Sequence, residues 1–261
     1  MNFSYSPVLL ALLGGCVAAA ATALGTVPAL LASRISQRTQ DTMFGFGAGV
    51  MLAASAFSLA LPGITAAKHY GAGPWLAGTI VSAAILAGGA LLLLMDRVIP
   101  HEHFIKGPEG RSSERIKRAW LFVFAICLHN LPEGLAIGVG FSGTDIAGGM
   151  ALTIGIAIQD IPEGLVVAIA LMATGYARGF SVAVGMASGL VEPIGAVAGA
   201  LIITSFPWML PVGLGFAAGA MVFVVSHEII PESHRQGHEN FATAGLMFGF
   251  VLMMTLDTAL G

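Results

Sequence analysis

Apolar residues gather in long unbroken stretches along this chain, separated by short segments rich in charge or turn residues. Counting between those breaks gives eight runs, at about 7–33, 42–66, 74–99, 119–141, 147–173, 180–204, 209–231 and 240–260. A helix that crosses a membrane needs roughly 20 mostly apolar residues, and each run supplies them. The stretches are continuous and do not alternate at every second residue, so they predict helices and not the strands of a transmembrane barrel. Connections are short except over 97–118, where Lys, Arg and His residues surround a Gly107-Pro108 turn signal. The pattern predicts an all-α polytopic membrane protein, a single transmembrane domain over 1–261.

Composition sharpens this picture. Apolar residues make up 56% and charged residues only 10%, too little polar material to coat a soluble globule. The same numbers exclude intrinsic disorder. A formal net charge of −3 without a long basic run argues against a nucleic-acid partner. Cys16 and Cys127 both sit inside apolar runs and offer neither a disulfide framework nor a CxxC zinc site. The 35 glycines, with many alanines and serines, fit membrane helices whose backbones approach closely. The first run lacks the basic leader of a cleaved signal peptide, since no Lys or Arg precedes Arg34.

Basic residues set the orientation. With the N-terminus outside, every Lys and Arg except Lys68 falls on the cytoplasmic side, as the positive-inside rule requires. Both termini are then expected to be external, periplasmic if this is a bacterial inner (plasma) membrane, and 97–118 becomes a cytoplasmic loop.

Two pairs of segments resemble each other in opposite senses. Gly45-Phe46-Gly47-Ala48-Gly49-Val50-Met51 in the second run matches Gly215-Phe216-Ala217-Ala218-Gly219-Ala220-Met221 in the seventh at five of seven positions. Asn130-Leu131-Pro132-Glu133-Gly134-Leu135 in the fourth run resembles Asp160-Ile161-Pro162-Glu163-Gly164-Leu165 in the fifth. In each pair the two runs point opposite ways across the membrane. Runs 1–3 then map onto 6–8, and run 4 onto run 5, about an axis in the membrane plane. That is the inverted-repeat logic of secondary transporters, with a binding site at the repeat interface.

The candidate chemistry lies in polar residues near the middle of three runs. The fourth holds His129, Asn130 and Glu133, the fifth Gln159, Asp160 and Glu163, and the sixth Glu192. An ionisable group at the bilayer centre costs at least ~2.5–3.5 kcal/mol on insertion scales, so it needs a partner and a purpose. Residues three or four apart share a helix face, so each trio points one way. One imidazole, four carboxylates and two amides, with no thiolate, suit borderline to hard divalent ions: Zn²⁺ first, and also Fe²⁺, Mn²⁺ or Cd²⁺. No Lys or Arg sits at this depth to balance the acids, whereas two divalent ions would, with Glu133 and Glu163 placed to bridge them. Pro132 and Pro162 free the carbonyls of Leu128 and Ile158 close by. The bland alternative is a buried hydrogen-bond network that only holds helices together.

At these residues the sequence resembles a known family. His129-Asn130-Leu131-Pro132-Glu133-Gly134 and Gln159-Asp160-Ile161-Pro162-Glu163-Gly164 are similar to the paired motifs of the ZIP (Zrt/Irt-like) divalent metal transporters, and in particular of bacterial members with a binuclear metal centre. The resemblance implies a 3+2+3 arrangement of eight helices and movement of metal across the membrane into the cytoplasm. It implies one metal at His129, Glu133, Gln159 and Glu163. It implies a second at Asn130, Glu133, Asp160, Glu163 and Glu192, with Glu133 and Glu163 bridging. The transported ion and the lipid bilayer are the expected partners, and a homodimer is compatible with the sequence.

Secondary candidates flank this centre. His227, Glu228, His234 and His238 near the inner end of the seventh run, with His101 and His103 in the loop, form a candidate exit route. Met51 is a candidate for the path from outside, Asp41 for a helix N-cap, and Asp257 for a group that simply faces water. Two rival functions are an intramembrane metalloenzyme and a proton or cation carrier that uses no metal. The HExxH pattern of zinc proteases is absent: His101-Glu102 is followed by His103 and Phe104, and His227-Glu228 has Pro231 where the second His would fall.

Overall fold

The computed structural model describes residues 6–31, 36–98, 123, 127, 130–143, 146–173, 175–235 and 237–260. Among these, seven stretches are helical, long and apolar enough to cross a membrane. They are α1 (Pro7–Leu31), α2 (Gln37–His69), α3 (Pro74–Val98), α5 (Ile146–Ala173), α6 (Arg178–Ser205), α7 (Pro207–Ser233) and α8 (Glu239–Leu260). Residues 130–141 form a further helical segment, α4, the described part of the run expected at 119–141. The loop at 97–118 lies outside the described residues beyond Val98.

Local chemistry sets the ends. α1, α3 and α7 open on Pro7, Pro74 and Pro207, where a missing N–H costs nothing. α2 begins several residues before the apolar run does, because Ser36 caps it: its hydroxyl accepts from the Thr39 N–H at 3.1 Å. Asp41 is therefore not a cap. It lies inside the helix, fully buried, where its carboxylate accepts from Gln37 Nε2 at 2.9 Å and meets His238 Nδ1 at 2.9 Å. α2 terminates at Gly71, with φ of 89°, and Gly237, in the link between α7 and α8, has φ of 82°. Only glycine takes this left-handed conformation at little cost.

Glycine also sets how the helices pack. On α2 and α8, a Cβ at Gly45, Gly49, Gly245 or Gly249 would strike the backbone of the facing helix. Gly88 and Gly219 do the same for α3 and α7, Gly25 and Gly164 for α1 and α5, and Gly134 and Gly138 for α4 against α6. Lipid offers no hydrophobic drive between helices, so close backbone contact through small residues is what holds them. α1 also packs along α6, and α5 touches α2 and α8.

Several helices depart from regular geometry. α2 contains a π-helical segment at Ala54–Ala60 and α7 another at Val225–Ile229, each followed two residues on by a proline, Pro62 and Pro231. α6 breaks at Gly189–Leu190 and restarts at Val191. α5 runs through Pro162 without a break.

The two ends differ in chemistry. Trp75, Trp208 and Tyr70 are exposed at one end, with the Tyr70 hydroxyl donating to the Pro207 carbonyl at 3.0 Å, as aromatic residues do at a membrane interface. The other end carries Arg38, Arg178 and Arg235. Arg178 donates to the Leu30 carbonyl at 3.2 Å, and Arg38 stacks 3.5 Å from the Phe241 ring centroid.

Candidate metal centre

Three carboxylates converge where α4 meets α5. Glu133, Asp160 and Glu163 each offer an oxygen, and these oxygens lie within 4.8 Å of one another. All three residues are buried, Glu133 completely. Asp160 and Glu163 are three apart, so one face of α5 presents both. Gln159 Nε2 donates to Glu133 Oε1 at 2.5 Å and to Asp160 Oδ1 at 2.8 Å, tying the two helices together.

A second set joins this one through Asn130, three residues before Glu133. Asn130 Nδ2 donates to the Ser188 carbonyl at 3.1 Å and to Glu192 Oε1 at 3.3 Å. The break in α6 makes this possible: it exposes the last carbonyls of one half-helix and sets Glu192 at the start of the next. Interrupted helices lining a buried site in this way are a recurring device for ion binding in membranes. Thr22 on α1 completes the set, its hydroxyl donating to Glu192 Oε1 at 2.9 Å.

The site is rich in acceptors and short of donors. Asn130 Oδ1, Asp160 Oδ2, Glu163 Oε1 and Glu192 Oε2 are buried with no hydrogen-bond partner among the described residues. A buried acceptor left this way costs about 1–3 kcal/mol, more if charged. Carboxylates crowded at one point also repel. Oxygen donors with this deficit of positive charge are suited to hold divalent cations.

Of the seven central candidates, six come together here: Asn130, Glu133, Gln159, Asp160, Glu163 and Glu192. His129 lies outside the described residues, as do His101, His103 and the side chain of Glu228. His227 falls in the π-helical segment of α7 with its ring stacked on Phe223, centroids 4.9 Å apart. His234 contacts Ser233 Oγ at 2.9 Å and Thr243 Oγ1 at 3.2 Å, and His238 is paired with Asp41. Among the described residues, the three-carboxylate group of Glu133, Asp160 and Glu163 includes none of these histidines. Met51 is buried on α2, one turn from Gly47. A Cβ at Gly47 would stand 3.4 Å from Gln159 Oε1, so α2 closes over the site at this level.

Two features escaped the sequence reading. Thr22 reaches the site from an Ala- and Gly-rich helix, where, like Thr26 one turn on, it is a small hydroxyl among small apolar residues. Asp257 does not simply face water. It accepts from the Ser58 hydroxyl at 2.6 Å and lines a cavity of about 440 Å³ shared with Phe57, His69, Tyr70 and Gly140, at the end of the bundle that carries Tyr70.

The family model for ZIP zinc transporters matches residues 99–257, which include all of this cluster except Thr22. The chain belongs to the ZIP zinc transporter family. Zinc transporter ZIPB of Bordetella bronchiseptica is 56% identical over 252 residues, covering 96% of this ZIP chain and 81% of the relative. Zinc transporter GufA of Myxococcus xanthus is 43% identical over 250 residues, covering 96% and 98%. Zinc transporter ZIP11 of Homo sapiens is 31% identical over 338 residues, covering 98% and 99%. This ZIP chain is thus an integral membrane protein of a transporter family, not an enzyme, and metal ions are what it carries. The metalloenzyme and metal-independent readings fall with that membership.

Proposed function

We propose that this ZIP protein moves divalent metal, zinc first, down its gradient into the cytoplasm through a binuclear centre in the middle of the membrane. The observation that carries the reading is the buried convergence of Glu133, Asp160 and Glu163 inside apolar helices. Zinc comes from the names of the relatives; Fe²⁺, Mn²⁺ and Cd²⁺ share the same donor types. One ion would be held by His129, Glu133, Gln159 and Glu163. The other would be held by Asn130, Glu133, Asp160, Glu163 and Glu192, with Glu133 and Glu163 shared.

The reading includes an eight-helix, 3+2+3 inverted repeat with both termini outside a bacterial inner membrane. Several features support it. The π-helical segments of α2 and α7 fall at matching places after the Gly45–Met51 and Gly215–Met221 repeats, and each precedes a proline. A left-handed glycine follows each of the same two helices, Gly71 after α2 and Gly237 in the link after α7. The pairs joined through glycine also correspond: α1 with α5 maps onto α6 with α4, and α2 with α8 onto α7 with α3. Arg38, Arg178 and Arg235 share the end opposite Tyr70 and Trp75, which supports a cytoplasmic assignment for that end.

The test is metal flux into proteoliposomes under imposed gradients of each of the four ions. Zinc entry above that of empty vesicles is expected, with competition from the other three. Flux no greater than in empty vesicles for every ion would overturn the proposal.

A further inference from the structure

We infer that Thr22 is a positioning residue that sets metal preference, by allowing Glu192 only one free oxygen. The inference rests on Glu192 being a metal ligand, as proposed above. Thr22 is 1% exposed and Glu192 fully buried. A threonine inside a helix ordinarily turns its hydroxyl to the carbonyl four residues back. Thr22 has that carbonyl, Ala18 O, at 3.3 Å, yet Glu192 Oε1 is closer at 2.9 Å. A hydroxyl has one proton, and a carboxylate is the stronger acceptor.

The room for this contact is built in. A Cβ at Gly189 on α6 would collide with Thr22 Cβ, and one at Gly164 on α5 would strike the Thr22 carbonyl. Glycine at both positions lets Thr22 enter the point where α1, α5 and α6 meet. Asn130 Nδ2 donates to the same oxygen, Glu192 Oε1, at 3.3 Å. One oxygen of Glu192 is therefore held by two donors on two helices, α1 and α4. The other, Oε2, is buried with no hydrogen-bond partner among the described residues.

This asymmetry has a consequence for the ion. With Oε1 engaged, Glu192 offers Oε2 alone and binds through one oxygen. Zn²⁺ is satisfied by about four ligands at short distances, so single-oxygen carboxylates suit it. Larger ions collect more oxygens and readily take both from one carboxylate, as Ca²⁺ does with its six to eight ligands. Thr22 thus favours the smaller ion by denying the larger one a second oxygen. Partners that orient a ligand in this way typically contribute about 10–100-fold to metal affinity.

The experiment titrates the purified full-length protein with Zn²⁺ and with Cd²⁺ by calorimetry, and repeats both in flux assays. Parent, Thr22→Val, Thr22→Ser and Glu133→Ala are compared. Thr22→Val keeps the shape and loses the donor. It is expected to bind Zn²⁺ about tenfold more weakly while Cd²⁺ changes much less, so the zinc-to-cadmium ratio falls. Thr22→Ser keeps the donor and should hold the parent's ratio. If Thr22→Val does not fold, Thr22→Ala carries the same expectation. An unchanged ratio in the variants lacking the hydroxyl, or an equal loss in Thr22→Ser, would reduce Thr22 to packing and overturn the inference. Loss of binding in Glu133→Ala with parental behaviour in Thr22→Val rejects the role of Thr22 alone. Glu133→Ala binding like the parent, or a parent that binds neither ion, rejects the metal centre and this inference with it.

Discussion

Gln159 Nε2 lies 2.5 Å from Glu133 Oε1 and, in the same geometry, 2.8 Å from Asp160 Oδ1, so a single neutral amide group serves two carboxylates on two helices. Its N–H donors stand where a cation would otherwise ease the repulsion between those acids. As a metal ligand Gln159 must offer its oxygen instead, because an amide nitrogen has no lone pair to give. Metal and amide hydrogens therefore compete for the same carboxylate oxygens.

Gln159→Glu tests this competition. The variant loses both donors and adds another acidic group to a buried cluster. The metal-free protein should unfold more easily, by about 1–3 kcal/mol for the acceptors left unpaired. Zinc should restore more stability than it adds to the parent, since a ligand stabilises the state that binds it. Thermal unfolding in detergent with and without zinc reads both effects. Equal metal-free stability in the two proteins would show that the amide is not what holds the acids together.

Removing ligands outright gives a second expectation. Glu133→Ala and Glu163→Ala each take an oxygen donor from both proposed ions and should abolish zinc flux while the protein still reaches the membrane. Glu192→Ala touches one ion only and should leave measurable flux, lower than the parent's but above that of Glu133→Ala. Flux assays normalised to protein in the bilayer decide it. Normal transport by Glu133→Ala would mean that the bridging role is wrongly assigned.

The membrane spans were legible because lipid permits so few solutions. A helix in hydrocarbon must be apolar through its core, so seven of the eight runs overlap described helices long enough to span, and acids within them stand out. Asn130, Glu133, Gln159, Asp160 and Glu163 could be gathered from spacing alone, since three- and four-residue steps fix a helix face. Glu192 depended on a break in α6 that nothing in its spacing announces. Thr22 was hidden because threonine among alanines usually bonds its own helix. Asp41 was misread for a related reason: hydropathy marks where a helix turns apolar, while α2 begins earlier, in polar residues capped by Ser36.

The glycine contacts predict opposite outcomes for two similar changes. A Cβ at Gly249 would meet the Phe46 backbone on α2, and backbone cannot swing aside. Gly249→Ala should cost about 1–3 kcal/mol or more as the helices are forced apart. Gly78 on α3 has open space where its Cβ would stand. Gly78→Ala should be neutral or gain roughly 0.5–1 kcal/mol from the helix preference of alanine. Unfolding midpoints in one detergent compare the pair, and a similar loss at both positions would refute packing as the reason for glycine on α2 and α8.

The last expectation separates two roles for His238. It was a candidate exit ligand, and the structure also makes it the partner of Asp41, whose carboxylate is completely buried. His238 itself remains about one-third exposed, with 33% of its side chain accessible, so the pair is buried on one side only. Taking the imidazole away leaves Gln37 as a hydrogen-bond donor to Asp41 Oδ1 and strips the contact from Oδ2. The loss should fall on stability, about 1–3 kcal/mol, because a buried acceptor loses its partner. If His238 mainly locks the start of α2 to the α7–α8 connection, His238→Ala should lower the unfolding midpoint while flux per folded molecule stays near the parent's. His238→Gln, which can still donate to Asp41, should recover the midpoint. If His238 instead hands metal to the cytoplasm, both variants should lose flux alike and the midpoint should hardly move. Unfolding and flux measured on the same preparations tell these apart.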